Sequence, residues 1–295
     1  MKRGVQGAAL AVLLGTSVAA PARGYCRARA CDDLNPAYSC EYDLFGCPIT
    51  ESRPLLFWPS ACVTVAVHGL GSPRLGISFE TVDSATNLAF GTWLSAECEG
   101  GEHPGFRVEN LGDVACGEPE YNVTGNANVV LFKDKEWFPE PERTIAITLL
   151  QFDTITGEIF DADIIINEDN LPPARPGSDH AFALTDVLTH EVGHFLGLAH
   201  SREADSILWP AYAERRVGEP MLNPDDVAGI CSVFPPETDT QEAVCSPRHG
   251  FAGECGGRPV RLSGGCSMAP RSESRFGVAA LLVLAAAGCL RRRGR

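Results

Sequence analysis

The chain has 295 residues, 44% of them apolar, with a formal net charge of −14. That length suffices for one substantial domain with extensions at either end. The first 24 residues carry +3 and the last 30 carry +5, which leaves a body near −22 and excludes an electrostatic reason to bind nucleic acid.

In chain order, Met1-Lys2-Arg3 precedes an apolar run from Ala8 to Ala20, and small residues follow at Ala22 and Gly24. That pattern predicts a signal peptide over 1–24 rather than a membrane span. Ten of the twelve cysteines lie in the body: Cys26, Cys31, Cys40, Cys47, Cys62, Cys98, Cys116, Cys231, Cys245 and Cys255. An even count in an exported body predicts disulfides. Sequence does not set their pairing. Local pairs within 26–47, a Cys98–Cys116 loop and a Cys245–Cys255 loop are the simplest expectations.

Residues 25–53 are cysteine-rich with little periodicity and read as a disulfide-held extension. From Pro54 the character changes. Cys62 to His68 alternates β-branched residues and predicts a strand. Ser78 to Cys98, with apolar Val82, Ala85, Leu88, Ala89, Trp93 and Leu94, predicts an amphipathic helix. Phe106–Asn110 and Asn128–Phe132 are further strand candidates. Thr144–Leu150 and Ile159–Asn167, around the polar turn Asp153–Gly157, predict a hairpin and so an antiparallel strand. A Pro/Gly-rich loop spans Leu171 to Ser178, and a helix starts near Leu184. A last helix has Asn223 as N-cap, Pro224 at its first position, and Asp225 and Asp226 in its first turn. Strands interleaved with helices predict an α/β sandwich. Residues 237–265, rich in Gly, Ser, Pro and Cys, read as a linker or stalk.

The chemistry lies in His190-Glu191-Val192-Gly193-His194-Phe195-Leu196-Gly197-Leu198-Ala199-His200. Helical residues four apart share a face, so His190 and His194 present two imidazoles to one ion, with Glu191 beside them. Gly197 ends the helix in a left-handed conformation and lets His200 return as a third ligand. Three nitrogen ligands and an open position describe a catalytic zinc site, with Glu191 as general base. Leu184, Leu188, Val192, Phe195 and Ala199 form the opposite stripe, which packs on the sheet. The other histidines, His68, His103, His180 and His249, have no partners at metal spacing. Asp161 and Asp163 are candidates for Ca2+, although acidic residues after a turn are commonly just solvated.

The eleven-residue motif followed by Ser201 resembles the metzincins, and within them the matrixins, the matrix-metalloproteinase group. Ser206–Tyr212 resembles that family's Met-turn block and Leu222–Ile230 the start of its final helix. Ile145-Ala146-Ile147 with Asp161-Ala162-Asp163 resembles its edge strand and the strand that follows. The likeness spans 54–236 and is strongest over 184–230. It implies a zincin-like α/β (α+β) fold with a mixed, mostly parallel five-stranded sheet and an antiparallel edge strand. It also implies a secreted, monomeric zinc metalloendopeptidase acting on proteins or peptides. Pro210, Ala211 and Tyr212, with Ile145 and Ala146 on the edge strand, would form the substrate pocket. Three departures stand out. Leu208 occupies the Met-turn position. No propeptide switch sequence precedes the domain. The histidines of the family's structural zinc are missing from the Asp161–Asn167 region, so one zinc is expected rather than two.

The terminus runs Gly264-Gly265-Cys266-Ser267, then an apolar stretch from Phe276 to Leu290, then an arginine cluster. Residues 266–295 resemble the C-terminal sorting signals of secreted myxobacterial proteins. The resemblance implies a membrane contact only through this tail or its processed anchor, at the cell surface or outer membrane. Two other functions are compatible with the motif. One is a surface adhesion module with a weakened metzincin site, which Leu208 favours and Glu191 opposes. The other is a zinc hydrolase acting on a non-peptide amide or a cell-wall peptide.

Overall fold

The computed structural model describes residues 24–134, 144–171, 180–211, 220–238, 243–255 and 265–267. A mixed sheet forms its centre. Its strands are β1 (Cys62–His68), β2 (Arg107–Val114), β3 (Val129–Lys133), β4 (Ala146–Phe152), β5 (Ile159–Asn167) and the short β6 (Gly265–Ser267). The order across the sheet is β2-β1-β3-β5-β4-β6. β2, β1, β3 and β5 run parallel, and β4 runs antiparallel to β5. This is the expected five-stranded arrangement with one addition: β6 pairs with the outer side of β4 at Leu149–Gln151. The β4–β5 hairpin closes through Asp153, whose carboxylate accepts from the backbone N–H groups of Ile155 and Thr156, and Gly157 takes a positive φ of 84°.

Helix α1 (Phe79–Leu94) begins at Ser78, whose hydroxyl accepts from the Thr81 N–H. Helix α2 (His180–Phe195) packs against α1 and against β4 and β5. The stripe of α1 that meets the core is Val82, Ala85, Thr86, Ala89, Phe90 and Trp93. Leu88, expected on that stripe, is 58% exposed, because the buried face passes through Thr86 and Phe90 instead. Leu184, Leu188, Val192 and Phe195 are fully buried in the main core, as their spacing predicts; Ala199, expected on the same stripe, lies past the end of α2 and is buried instead against Cys26 and Cys47 of the N-terminal extension. Helix α3 (Pro224–Val233) starts with a capping box: Asn223 accepts from the Asp226 N–H, and Asp226 accepts from the Asn223 N–H.

The other face of the sheet is also covered. A second apolar cluster there contains Ala66, Val114, Ala127, Val129, Leu131, Ile147 and Ile165. The segment after α3, expected to be a linker, is docked over 244–255. The Ala115 and Cys116 N–H groups donate to the Gly253 carbonyl, and Asn126 N–H donates to the Gly250 carbonyl. The bonds Cys62–Cys245 and Cys116–Cys255 staple this segment to β1 and to the loop after β2. Cys98–Cys231 ties the end of α1 to α3. The expected loops Cys98–Cys116 and Cys245–Cys255 therefore do not form. The chain returns to the domain after α3, which brings distant cysteines closer than sequence neighbours. Within the N-terminal extension the pairs are local, Cys26–Cys47 and Cys31–Cys40. Among the described residues no helix is long and apolar enough to cross a membrane. The signal-peptide reading of 1–24 falls almost wholly outside the described residues, as do the Pro/Gly-rich loop after Leu171 and the apolar tail.

Asp161 and Asp163, the calcium candidates, are buried rather than solvated. The Asn126 amide donates to Asp161 and the Val129 N–H donates to Asp163. Burial raises the Asp161 pKa to about 7, and burial together with the neighbouring Asp161 holds Asp163 well above the carboxylate range. In the unfolded chain both titrate near ~3.9. Between roughly pH 4 and 7 the folded state thus binds more protons than the unfolded one, and this pair costs stability as pH rises through that window. Asp163→Asn should remove much of that slope. Thermal midpoints of both proteins measured across the window should converge at low pH and favour the variant near neutrality. Parallel curves would show that the pair does not titrate as described.

Candidate metal centre and active site

His190 and His194 sit one turn apart near the C-terminal end of α2 and project to the same side. Gly197 ends the run with a positive φ of 99°, and its N–H donates to the His194 carbonyl. The chain then doubles back and brings His200 over the helix. The three imidazole centroids lie 4.7, 4.8 and 5.4 Å apart. One nitrogen from each of His190, His194 and His200 lies within 4.8 Å of the others.

Hydrogen bonds on the far side of two rings set their tautomers. His190 Nδ1–H donates to the Ile207 carbonyl at 2.7 Å, and His194 Nδ1–H donates to the Leu198 carbonyl at 2.9 Å. Both Nε2 atoms are then lone-pair acceptors, yet they face each other at 3.1 Å. The His200 Nε2 is buried and has no hydrogen-bond partner. Two facing acceptors and a buried orphan nitrogen are repulsive and costly unless a cation lies between them. Burial also holds His194 at a pKa of about 3 and His200 well below its usual value. Neutral imidazoles are the form that binds metal. The donor set therefore fits a zinc ion with three nitrogen ligands.

Glu191 is 6% exposed and stands beside this cluster. Thr148 on β4 donates its hydroxyl to Glu191 Oε2 at 2.7 Å. Burial raises the Glu191 pKa, partly offset by His190 and by the Thr148 hydrogen bond. Trp93 Nε1–H donates to the Thr189 carbonyl, pinning α2 to α1 just before the first ligand.

Leu208 is fully buried. A Cβ on Gly193 would come within 2.6 Å of the Leu208 side chain and 2.8 Å of Trp93, so Leu208 packs directly beneath the turn between His190 and His194. Asp226 holds this turn. Its carboxylate accepts from the Ser206 hydroxyl and the Ile207 N–H. Asp225 accepts from the Ser201 hydroxyl at 2.6 Å and from the Gly24 N–H at 2.8 Å. Of the expected pocket residues, Pro210, Ile145 and Ala146 are half-buried, Ala211 is exposed, and Tyr212 lies outside the described residues.

No local pattern in the sequence marks Thr148, Trp93 or Asp226 as part of the site. Asp226 carried a visible signal as a helix-start acid, but nothing local linked it to residues 206–207. Among the remaining histidines, His103 meets the Ala96 carbonyl and His249 meets the Tyr121 hydroxyl. The only other metal-like group among the described residues, Cys116, Glu120 and Cys255, has both sulfurs committed to one disulfide.

Residues 118–235 match the matrixin family model, of the M10 peptidases. The chain is 36% identical over 75 residues to Metalloendoproteinase 1-MMP of Arabidopsis thaliana, covering 25% of this chain and 20% of that protein. It is 37% identical over 62 residues to Stromelysin-1 of Rattus norvegicus, covering 21% and 13%. It is 41% identical over 71 residues to Matrix metalloproteinase-19 of Mus musculus, covering 22% and 13%. The chain thus spans a fifth or less of these relatives' own length. The sheet order, the antiparallel β4 and the helix-borne histidines together make the fold zincin-like, and the cofactor that this family and this triad fit is zinc.

Leu208→Met should leave the fold and zinc binding intact, with a stability change below about 1.5 kcal/mol, because the two side chains have similar volumes. Zinc affinity and the thermal midpoint of both versions check this. A strong loss of either would mean that the packing beneath Gly193 tolerates no thioether.

Proposed function

We propose that this chain is an exported zinc endopeptidase that hydrolyses peptide bonds, with His190, His194 and His200 as metal ligands and Glu191 as general base. The observation that carries the proposal is the convergence of three imidazole nitrogens beside a buried carboxylate. When bound at such a site, zinc makes a water acidic and polarises a carbonyl.

The chain's own groups do the rest. Glu191 takes the proton of the attacking water and passes it to the leaving amine. Its burial favours holding that proton between the two steps. Thr148 fixes one carboxylate oxygen and so orients the other. The outer edge of β4 at Ala146–Thr148, next to Glu191, suits an extended peptide added as a further strand. Ile145, Ala146, Pro210, Ala211 and Tyr212 would line the pocket beside the cut. Retention of Glu191 speaks against a binding module with a dead site. The ten body cysteines, all paired in the disulfides described above, support export to an oxidising compartment. Anchoring through residues 266–295 and a monomeric state belong to the same proposal.

Casein and gelatin cleavage, assayed with and without a chelator, tests the reaction class. Chelation should abolish cleavage and added zinc should restore it. Glu191→Ala should lose about 10²–10⁴ in kcat/KM while keeping one zinc per chain, because the base is not a ligand. Undiminished cleavage by that variant would remove Glu191 from the mechanism. Alkylation without reductant, read by mass spectrometry, should find few free thiols in the body. Many free thiols would count against export.

A further inference from the structure

His200 is the one proposed ligand that no helix holds. The segment around it is gripped by the N-terminal extension. Ala199 N–H donates to the Cys26 carbonyl, Ala28 N–H to the Gly197 carbonyl, and Arg202 N–H to the Gly24 carbonyl, at 2.8–3.0 Å. Residues 24–28 therefore run along 197–202 as an antiparallel partner. The second half of the extension closes over the ring itself. Gly46 has a φ of 80°, and a Cβ built there would lie 2.8 Å from His200 Nδ1. Cys47 Sγ lies 3.2 Å from the His200 carbonyl oxygen. The Cys26–Cys47 bond, buried with Ala199, joins the two halves of this grip. Arg202 and Asp43 pair at 2.7 Å, and Phe45 packs on Trp209 with centroids 5.4 Å apart.

We propose that the turn Asp43–Cys47, tied down by the Cys26–Cys47 disulfide, is the positioning element of His200, so that the extension, and Gly46 in particular, sets the zinc affinity of the site. This rests on the reading of His200 as a ligand. The backbone grip on 197–202 fixes where the imidazole starts, and Gly46 fixes how far its ring can turn. Only a residue without a side chain allows the loop to approach Nδ1 so closely. The extension's other disulfide, Cys31–Cys40, sits elsewhere, with Cys31 buried in the main core rather than in the cluster of Cys26, Cys47 and Ala199.

Zinc dissociation constants, measured by competition with a chromophoric chelator, test this alongside thermal midpoints of the zinc-free proteins. Gly46→Ala should weaken zinc about 10–100-fold, the usual effect of disturbing a group that orients a ligand. Gly46→Asn tolerates a positive φ but keeps the collision, so it should weaken zinc likewise. The double variant Cys26→Ser/Cys47→Ser should also weaken zinc. The control Cys31→Ser/Cys40→Ser should lower the thermal midpoint and leave zinc affinity unchanged. Wild-type-like zinc affinity in both Gly46 variants overturns the proposal. So does equal weakening by the Cys31/Cys40 control, which would make the extension a general stabiliser. Wild-type protein that takes up no zinc would instead overturn the ligand assignment on which the proposal stands.

Discussion

Three imidazoles brought to one point, two of them with acceptor nitrogens face to face, are the constraint on which this structure depends. Left alone, such an arrangement is unfavourable, because acceptors face each other and an imidazole nitrogen is buried without a partner. The protein holds it by fixing what lies behind the rings. The carbonyls of Ile207 and Leu198 accept the Nδ1 protons of His190 and His194. Both carbonyls belong to the stretch after the helix, so the return of the chain past Gly197 and the turn at 206–208 are parts of the cage. Asp226 joins that turn to the start of α3. The last helix is thereby coupled to the metal site without contributing a ligand.

The sheet contributes by a different route. β4, paired antiparallel with β5, carries Thr148 on the face that meets α2, where its hydroxyl donates to Glu191. The apolar stripe of α2 and the approach of Trp93 leave no slack for the helix to rotate. Gly193 completes this fit: a side chain there would strike both Leu208 and Trp93. The carboxylate and the imidazoles are thus held by separate elements, a strand and two turns, whose relative placement is set by a single core.

Among the described residues five disulfides brace the domain, and Cys31, Cys40 and Cys231 pack into or against that core. Three of the disulfides close loops of 133, 139 and 183 residues in sequence separation. Cross-links of that span remove much freedom from the unfolded chain, on the order of 4–5 kcal/mol each in the chain-entropy view. They also draw residues 244–255 onto the loop after β2, whose Asn126 in turn meets Asp161, while the Val129 N–H meets Asp163. A face that a strand pattern alone would leave half-solvated becomes a second core.

The sequence by itself determined the elements and the ligand set, since both are written in local periodicity. β1 and β5 follow from runs of β-branched residues, and α2 from a stripe at three- and four-residue spacing. His190 and His194 share a face for the same reason, and Gly197 marks the turn because only glycine adopts its φ readily. Asn223, Pro224 and Asp226 announce the start of α3 through capping chemistry. What lay beyond reach depended on chain segments far apart in sequence. The exposure of Leu88, the burial of Asp161 and Asp163, the long disulfides, and the partners of Glu191 and His200 were decided only in the tertiary structure. Thr148 lies 43 residues from Glu191, and Cys47 lies 153 residues from His200. No local pattern encodes such contacts, because they arise from which surfaces remain to be covered once the helices and strands have packed.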